Sequence, residues 1–139
     1  MKRILFDTNV VLDVLLDRQP HVEASASVWA VVETGISEGM LAAHAVTTIH
    51  YLVRRERGDV KARRIMSAIL RVFGVAAVNG AVVQEALQMH LSDFEDAVTA
   101  AAARSAGCEF IVTRDPKGFR GSPVRALAPE AVMPLLHTE

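Results

Sequence analysis

Four aspartates in this 139-residue chain, Asp7, Asp93, Asp96 and Asp115, have the type and placement to do chemistry together. Asp7 follows a short apolar run, Ile4-Leu5-Phe6, and Asp115 closely follows another, Phe110 to Val112. Asp93 and Asp96 open an alanine-rich stretch, and a spacing of three puts them on neighbouring parts of one helical face. A helix N-terminus favours negative charge by only about 0.3–1 kcal/mol, too little to hold several carboxylates together. Like charges a few ångströms apart raise one another's pKa and cost stability unless a cation compensates, so a converging cluster implies a divalent metal. Oxygen-only donors select Mg²⁺ or Mn²⁺ over zinc. Such an ion activates water and neutralises charge developing on a phosphate, which makes phosphodiester hydrolysis the fitting reaction. Thr8, Asn9 and Thr113 flank the acids and can orient carboxylates or waters. Taken singly, Asp93 reads as a helix cap and Asp7 and Asp115 as turn residues. Their recurrence after separate strands and at one helix start is what points to a site.

The elements that must position these acids follow from the apolar pattern. Ile4 to Phe6 is expected as a buried parallel strand, followed by a helix over Val10 to Leu16 and a second over His21 to Ser37, stopped by Gly39. Met40 to Ala43 forms a second strand, and Thr47 or Thr48 caps a third helix running through Arg57. Gly58 and Asp59 separate it from a fourth, Val60 to Val72. Val75 to Val78 is the third strand, with a helix over Ala81 to Met89 after Asn79-Gly80. The stretch Ala97 to Ala106 has high helix propensity and small side chains, so it can pack close to a sheet. Phe110 to Val112 is the fourth strand, then come a loop from Thr113 to Pro123, a short strand near Val124 to Ala126 and a last helix from Pro129 to His137. Strands alternating with helices argue for an α/β fold with a mainly parallel sheet, where ligands bind beyond the carboxyl ends of strands.

The composition, 51% hydrophobic and 22% charged, suits a single domain over residues 1–139. One cysteine, Cys108, leaves no internal disulfide, and no zinc-type spacing occurs, so a reducing cytoplasm is the expected compartment. Asp7 and Asn9 interrupt the only early apolar stretch, which argues against a signal peptide, and no run is long enough for a membrane span. Aromatic content of 5% argues against a base-stacking platform. Cys108 is expected as a core thiol, Trp29 as a core or interface residue, and His21, His44, His90 and His137 as surface or capping residues.

Ile4-Leu5-Phe6-Asp7-Thr8-Asn9-Val10 resembles the opening of PIN domains, and Asp93-Phe94-Glu95-Asp96-Ala97 with Ile111-Val112-Thr113-Arg114-Asp115 resembles their later acidic motifs, in the same order and spacing. The resemblance spans essentially the whole chain. It implies a three-layer α/β/α sandwich and Mg²⁺- or Mn²⁺-dependent endoribonuclease activity. Small bacterial members resembling VapC are toxins neutralised by an antitoxin, and usually dimeric. By the same resemblance Asp7, Asp96 and Asp115 are the core metal-site acids and Asp93 an auxiliary. The chain departs from the family pattern at His50, read at the place of a usual glutamate early in the third helix, and at Gly118, where many relatives carry another acid.

If RNA is the substrate, Arg114, Lys117 and Arg120 adjoin Asp115 and would hold its backbone through charge, without reading its sequence. A second basic segment, Arg54 to Arg64, is expected mainly as a solvated helix face interleaved with Glu56 and Asp59. The alternative reading is a degenerate PIN module that binds RNA or a protein without catalysis. A phosphatase with Asp7 as covalent nucleophile is disfavoured, because Asn9 stands where a second acid would be wanted.

Overall fold

The computed structural model describes residues 1–137. In chain order the elements are β1 (Arg3–Phe6), α1 (Thr8–Leu15), α2 (Val22–Glu33), β2 (Glu38–Ala42), α3 (Ala43–Arg57), α4 (Asp59–Val72), β3 (Phe73–Ala76), α5 (Gly80–Gln88), α6 (Phe94–Ser105), β4 (Phe110–Val112), a 3₁₀ turn (Pro116–Phe119), β5 (Arg125–Leu127) and α7 (Pro129–Leu136). The strands form one sheet in the order β3-β2-β1-β4-β5, with every neighbouring pair parallel. Successive strand residues point to opposite faces, and Ile4, Leu5 and Phe6 are all 0% exposed, so helices must cover both sides of β1. The result is the expected three-layer α/β/α sandwich, with α5 and α6 packed together and α1 packed on α2 and α3. Alanines 97, 100, 101, 102 and 103 of α6 are buried, which is how so small-faced a helix sits close to its neighbours. Among the described residues no helix is long and apolar enough to cross a membrane.

Several expected boundaries move, three of them for a clear tertiary reason. Gly39 does not stop α2; that helix ends at Glu33, and Gly35 takes the left-handed turn at φ +79°. Gly39 lies within β2 instead, where a Cβ would stand 2.7 Å from the Phe73 ring and 2.8 Å from Val32, so close packing demands glycine there. Phe73 also starts β3 two residues before the expected Val75, because it pairs with Gly39 and buries its ring edge-on against Phe6 and Trp29, each at 4.9 Å between centroids. Trp29 is therefore a core residue. Finally, α3 begins at Ala43, four residues before Thr47. Strand β2 passes straight into it through Ala42, without a side-chain cap, and the Thr47 hydroxyl donates back to the His44 carbonyl.

Candidate active site at the carboxyl edge of the sheet

The chain lays β2 and β3 on one side of β1 and then returns to place β4 and β5 on the other. A crevice therefore opens beyond the carboxyl ends of β1 and β4, where strand order reverses. Asp7 leaves β1 there. Its amide donates to the Val112 carbonyl at 2.9 Å, and its side chain caps α1 by accepting from the Thr8 amide at 2.9 Å. The other carboxylate oxygen, Oδ2, accepts from the Thr113 hydroxyl at 2.8 Å and lies 3.5 Å from Asn9 Nδ2. That same Thr113 oxygen accepts from the Asp115 amide at 3.1 Å, and Asn9 Oδ1 accepts from the Arg114 amide at 3.2 Å. One fully buried hydroxyl thus ties the end of β1 to the turn after β4. Thr8 reaches Asp7 through its backbone amide, and Asn9 and Thr113 through their side chains.

The α6 acids come from the adjacent helix end. Asp93 is the N-cap, its Oδ1 accepting from the Asp96 amide at 3.0 Å. Asp96, in the first turn, has its carboxyl pushed up to about 6, first by burial and then by the charges of Asp7, Asp93, Glu95 and Asp115. Burial also raises Asp7, opposed by its bonds from Thr113 and Thr8. A Cβ added at Gly118 would lie 3.0 Å from Asp96 Oδ2 and 3.1 Å from Asp115 Oδ2, so these two carboxylates close on one small volume. Asp7, Asp96 and Asp115 are therefore brought together electrostatically. Among the described residues, however, no three Asp, Glu, His or Cys side chains stand as a ready-made chelate. Asp96 and Asp115 are the converging pair that could grip a hard cation directly, an arrangement suited to an ion that keeps several waters.

The charge crowding predicts a pH dependence. Both folded and unfolded Asp96 carry the proton below the ordinary value of 3.8; above about 6 the folded chain must hold a repelled carboxylate. The metal-free protein thus loses this contribution as pH rises through that window. Thermal melts in a chelator should show Asp96→Asn matching the parent near pH 4 and exceeding it increasingly up to pH 6–7; a constant difference would contradict the crowding.

Other expected site residues fall elsewhere. His50 lines a groove between α3 and α4 with Val46, Arg63, Met66 and Leu70, not the acid pocket. The histidine near the acids is His44, whose Nε2 lies 3.4 Å from the Thr99 hydroxyl and whose buried Nδ1 has no hydrogen-bonding partner among the described residues. Burial lowers its pKa, against the opposing charges of Glu95 and Asp7. About six residues along a helix turn the side chain by some 120°, which separates the two histidines. No signal in the residues around His44 marks its approach to the acids. Lys117 and Arg120 are exposed, close in sequence to Asp115. Arg114 instead turns toward the core, its Nε 2.8 Å from the buried Asp13. Cys108 is buried, its thiol pushed up to about 11, and so is a protonated core group.

A parallel α/β sandwich with acids gathered at its switch point is the class that fold and site define. The PIN-domain profile matches residues 3–117, and the chain belongs to that family. Among the curated proteins, none matches the sequence. Solved structures similar to it include FitAcB from Neisseria gonorrhoeae, at TM-score 0.73 and 21% identity over 91% of this chain and 98% of that one. VapC20 from Mycobacterium tuberculosis, described as a sarcin-ricin loop cleaving toxin, matches at TM-score 0.62 and 22% identity over 78% and 86%. A toxin–antitoxin complex from Klebsiella pneumoniae matches at TM-score 0.68 and 18% identity over 91% and 97%. At these identities the likeness speaks for the fold.

Proposed function

We propose that this chain is a Mg²⁺- or Mn²⁺-dependent endoribonuclease, the toxin of a toxin–antitoxin pair. The observation that carries the reading is the convergence of Asp96 and Asp115 beside Gly118, close enough to Asp7 and Asp93 that burial first, and then these charges, push the Asp96 carboxyl up to about 6. Crowding of this kind costs stability and is kept where a cation relieves it. Asp96 and Asp115 would hold the ion, with Asp7 and Asp93 completing the negative pocket. When bound, it would supply an activated water and offset charge on the phosphate. Thr113 and Asn9 keep Asp7 oriented, and the exposed Lys117 and Arg120 hold the RNA backbone at the rim. Structural neighbours that are a sarcin-ricin loop cleaving toxin and a toxin–antitoxin complex support an RNA substrate and an antitoxin partner, and the homodimer is part of the same proposal. The buried free thiol and an RNA target fit work in the cytoplasm.

The test is RNA cleavage by purified protein with and without added Mn²⁺ or Mg²⁺. Cleavage that needs the ion and disappears in Asp7→Asn is expected; metal-independent cleavage surviving that change sinks the mechanism. The second reading, a PIN module that binds without cutting, is favoured by the lack of a ready-made three-residue chelate among the described residues and by Gly118 in place of an acid. RNA retained without turnover under either ion would select it.

A further inference from the structure

We propose that Asp13 is a positioning residue for the acid pocket, acting through Arg114 on the segment that carries Thr113 and Asp115. Asp13 lies inside α1 and is 0% exposed, a place where an ionised carboxylate is costly unless partnered. Its Oδ2 accepts from the Ser25 hydroxyl at 3.0 Å and stands 2.8 Å from Arg114 Nε. The Nε–H is not aimed at the carboxylate, and Asp13 Oδ1 has no hydrogen-bonding partner among the described residues. So imperfect a buried pair is a poor device for stability, and its value must lie in what it holds in place.

What it holds is the backbone between Thr113 and Asp115. The Thr113 amide donates to the Leu127 carbonyl at 3.0 Å, the Arg114 amide to Asn9 Oδ1 and the Asp115 amide to Thr113 Oγ1. The guanidinium pulls the middle residue of this segment toward α1. That helix carries Asp7 as its N-cap, then Asn9, then Asp13, about 9 Å further along its axis. One rigid helix therefore sets Asp7 at one end and, through Asp13 and Arg114, fixes the turn bearing Asp115 at the other. Arg114 is spent on this tie and is not part of the RNA rim. A misplacement of about 1 Å at such a site costs up to about a hundredfold in rate.

The kinetic part of this inference rests on the nuclease reading, so the experiment pairs it with a measurement that does not. Asp13→Asn, Arg114→Met and the milder Ser25→Ala are compared with the parent for kcat and KM on RNA and for amide hydrogen exchange at residues 113–115. Expected for Asp13→Asn and Arg114→Met is a kcat about ten- to a hundredfold lower with KM within about twofold, and faster exchange at those three amides but not in β1. Unchanged kcat and exchange in folded Asp13→Asn would overturn the proposal, as would a rise in KM alone in Arg114→Met, the mark of a lost RNA contact. Should Asp13→Asn fail to fold, Ser25→Ala decides: faster exchange at 113–115 supports the tie and unchanged exchange refutes it. If the parent cleaves no RNA, the nuclease reading fails and exchange alone decides between the same two outcomes.

Discussion

Asp96→Asn should lower RNA cleavage by about a thousandfold while making the metal-free protein more stable. The two effects have opposite signs because they arise from the same charge. In the folded chain the Asp96 carboxyl is desolvated and faces Asp7, Asp93, Glu95 and Asp115, which together hold it near 6. An amide of the same shape removes that repulsion and leaves the backbone bond from Asp96 N to Asp93 intact. It also removes one of the two carboxylates that converge beside Gly118, and with it the charge that would draw a divalent ion into the pocket. Loss of a metal's compensation of phosphate charge is worth several kcal/mol; a thousandfold corresponds to about 4 kcal/mol of barrier. Single-turnover cleavage and a melt in chelator, run on the same preparation, check both signs. A variant that cleaves at the parent rate would remove Asp96 from the site, and one that is inactive because it melts earlier would show a structural role instead.

Thr113→Val tests the junction from the other side. The hydroxyl donates to Asp7 Oδ2 at 2.8 Å and accepts from the Asp115 amide at 3.1 Å, and it is wholly buried. Valine fills the same volume and satisfies neither group. A lost bond to a carboxylate and an amide left unpaired together cost about 3 kcal/mol, a fall of roughly 10 °C in melting temperature for a chain of this size. Asp7 also loses one of the bonds that hold its pKa down against burial, so its charged form becomes less favourable. Thr113→Ser keeps the oxygen and should recover most of both stability and cleavage, through calorimetry and the RNA assay respectively. Equal losses in serine and valine variants would mean that the methyl group, and so packing, is what matters at this position.

The candidate site divides along the line between local and remote information. Asp93 as a helix cap, Asp7 and Asp115 at strand ends and the buried run Ile4 to Phe6 each follow from chemistry within a few residues, and each stands where the sequence reading expected it. His50 did not, because its side chain faces the groove between α3 and α4, a packing no local pattern reveals. His44 was passed over because its approach to Asp7 and Glu95 is a tertiary one that nothing within a few residues marks. Arg114 was read by its neighbour Asp115, yet its side chain answers to Asp13, about a hundred residues earlier in the chain. No local pattern carries that pairing.

By itself the sequence determined the alternation of strands and helices, the parallel sheet and the positions of the acids along the chain, since backbone propensity and burial period are properties of short stretches. Which side chains meet was decided only in three dimensions. The β3-β2-β1-β4-β5 order brings the ends of β1 and β4 together, and Phe73 against Gly39 resets the start of β3. Asp13 draws Arg114 inward because a buried carboxylate must find a cation wherever the fold supplies one. Contacts between residues remote in sequence depend on strand order, helix phase and desolvation acting at once, and those exist only after the chain has packed.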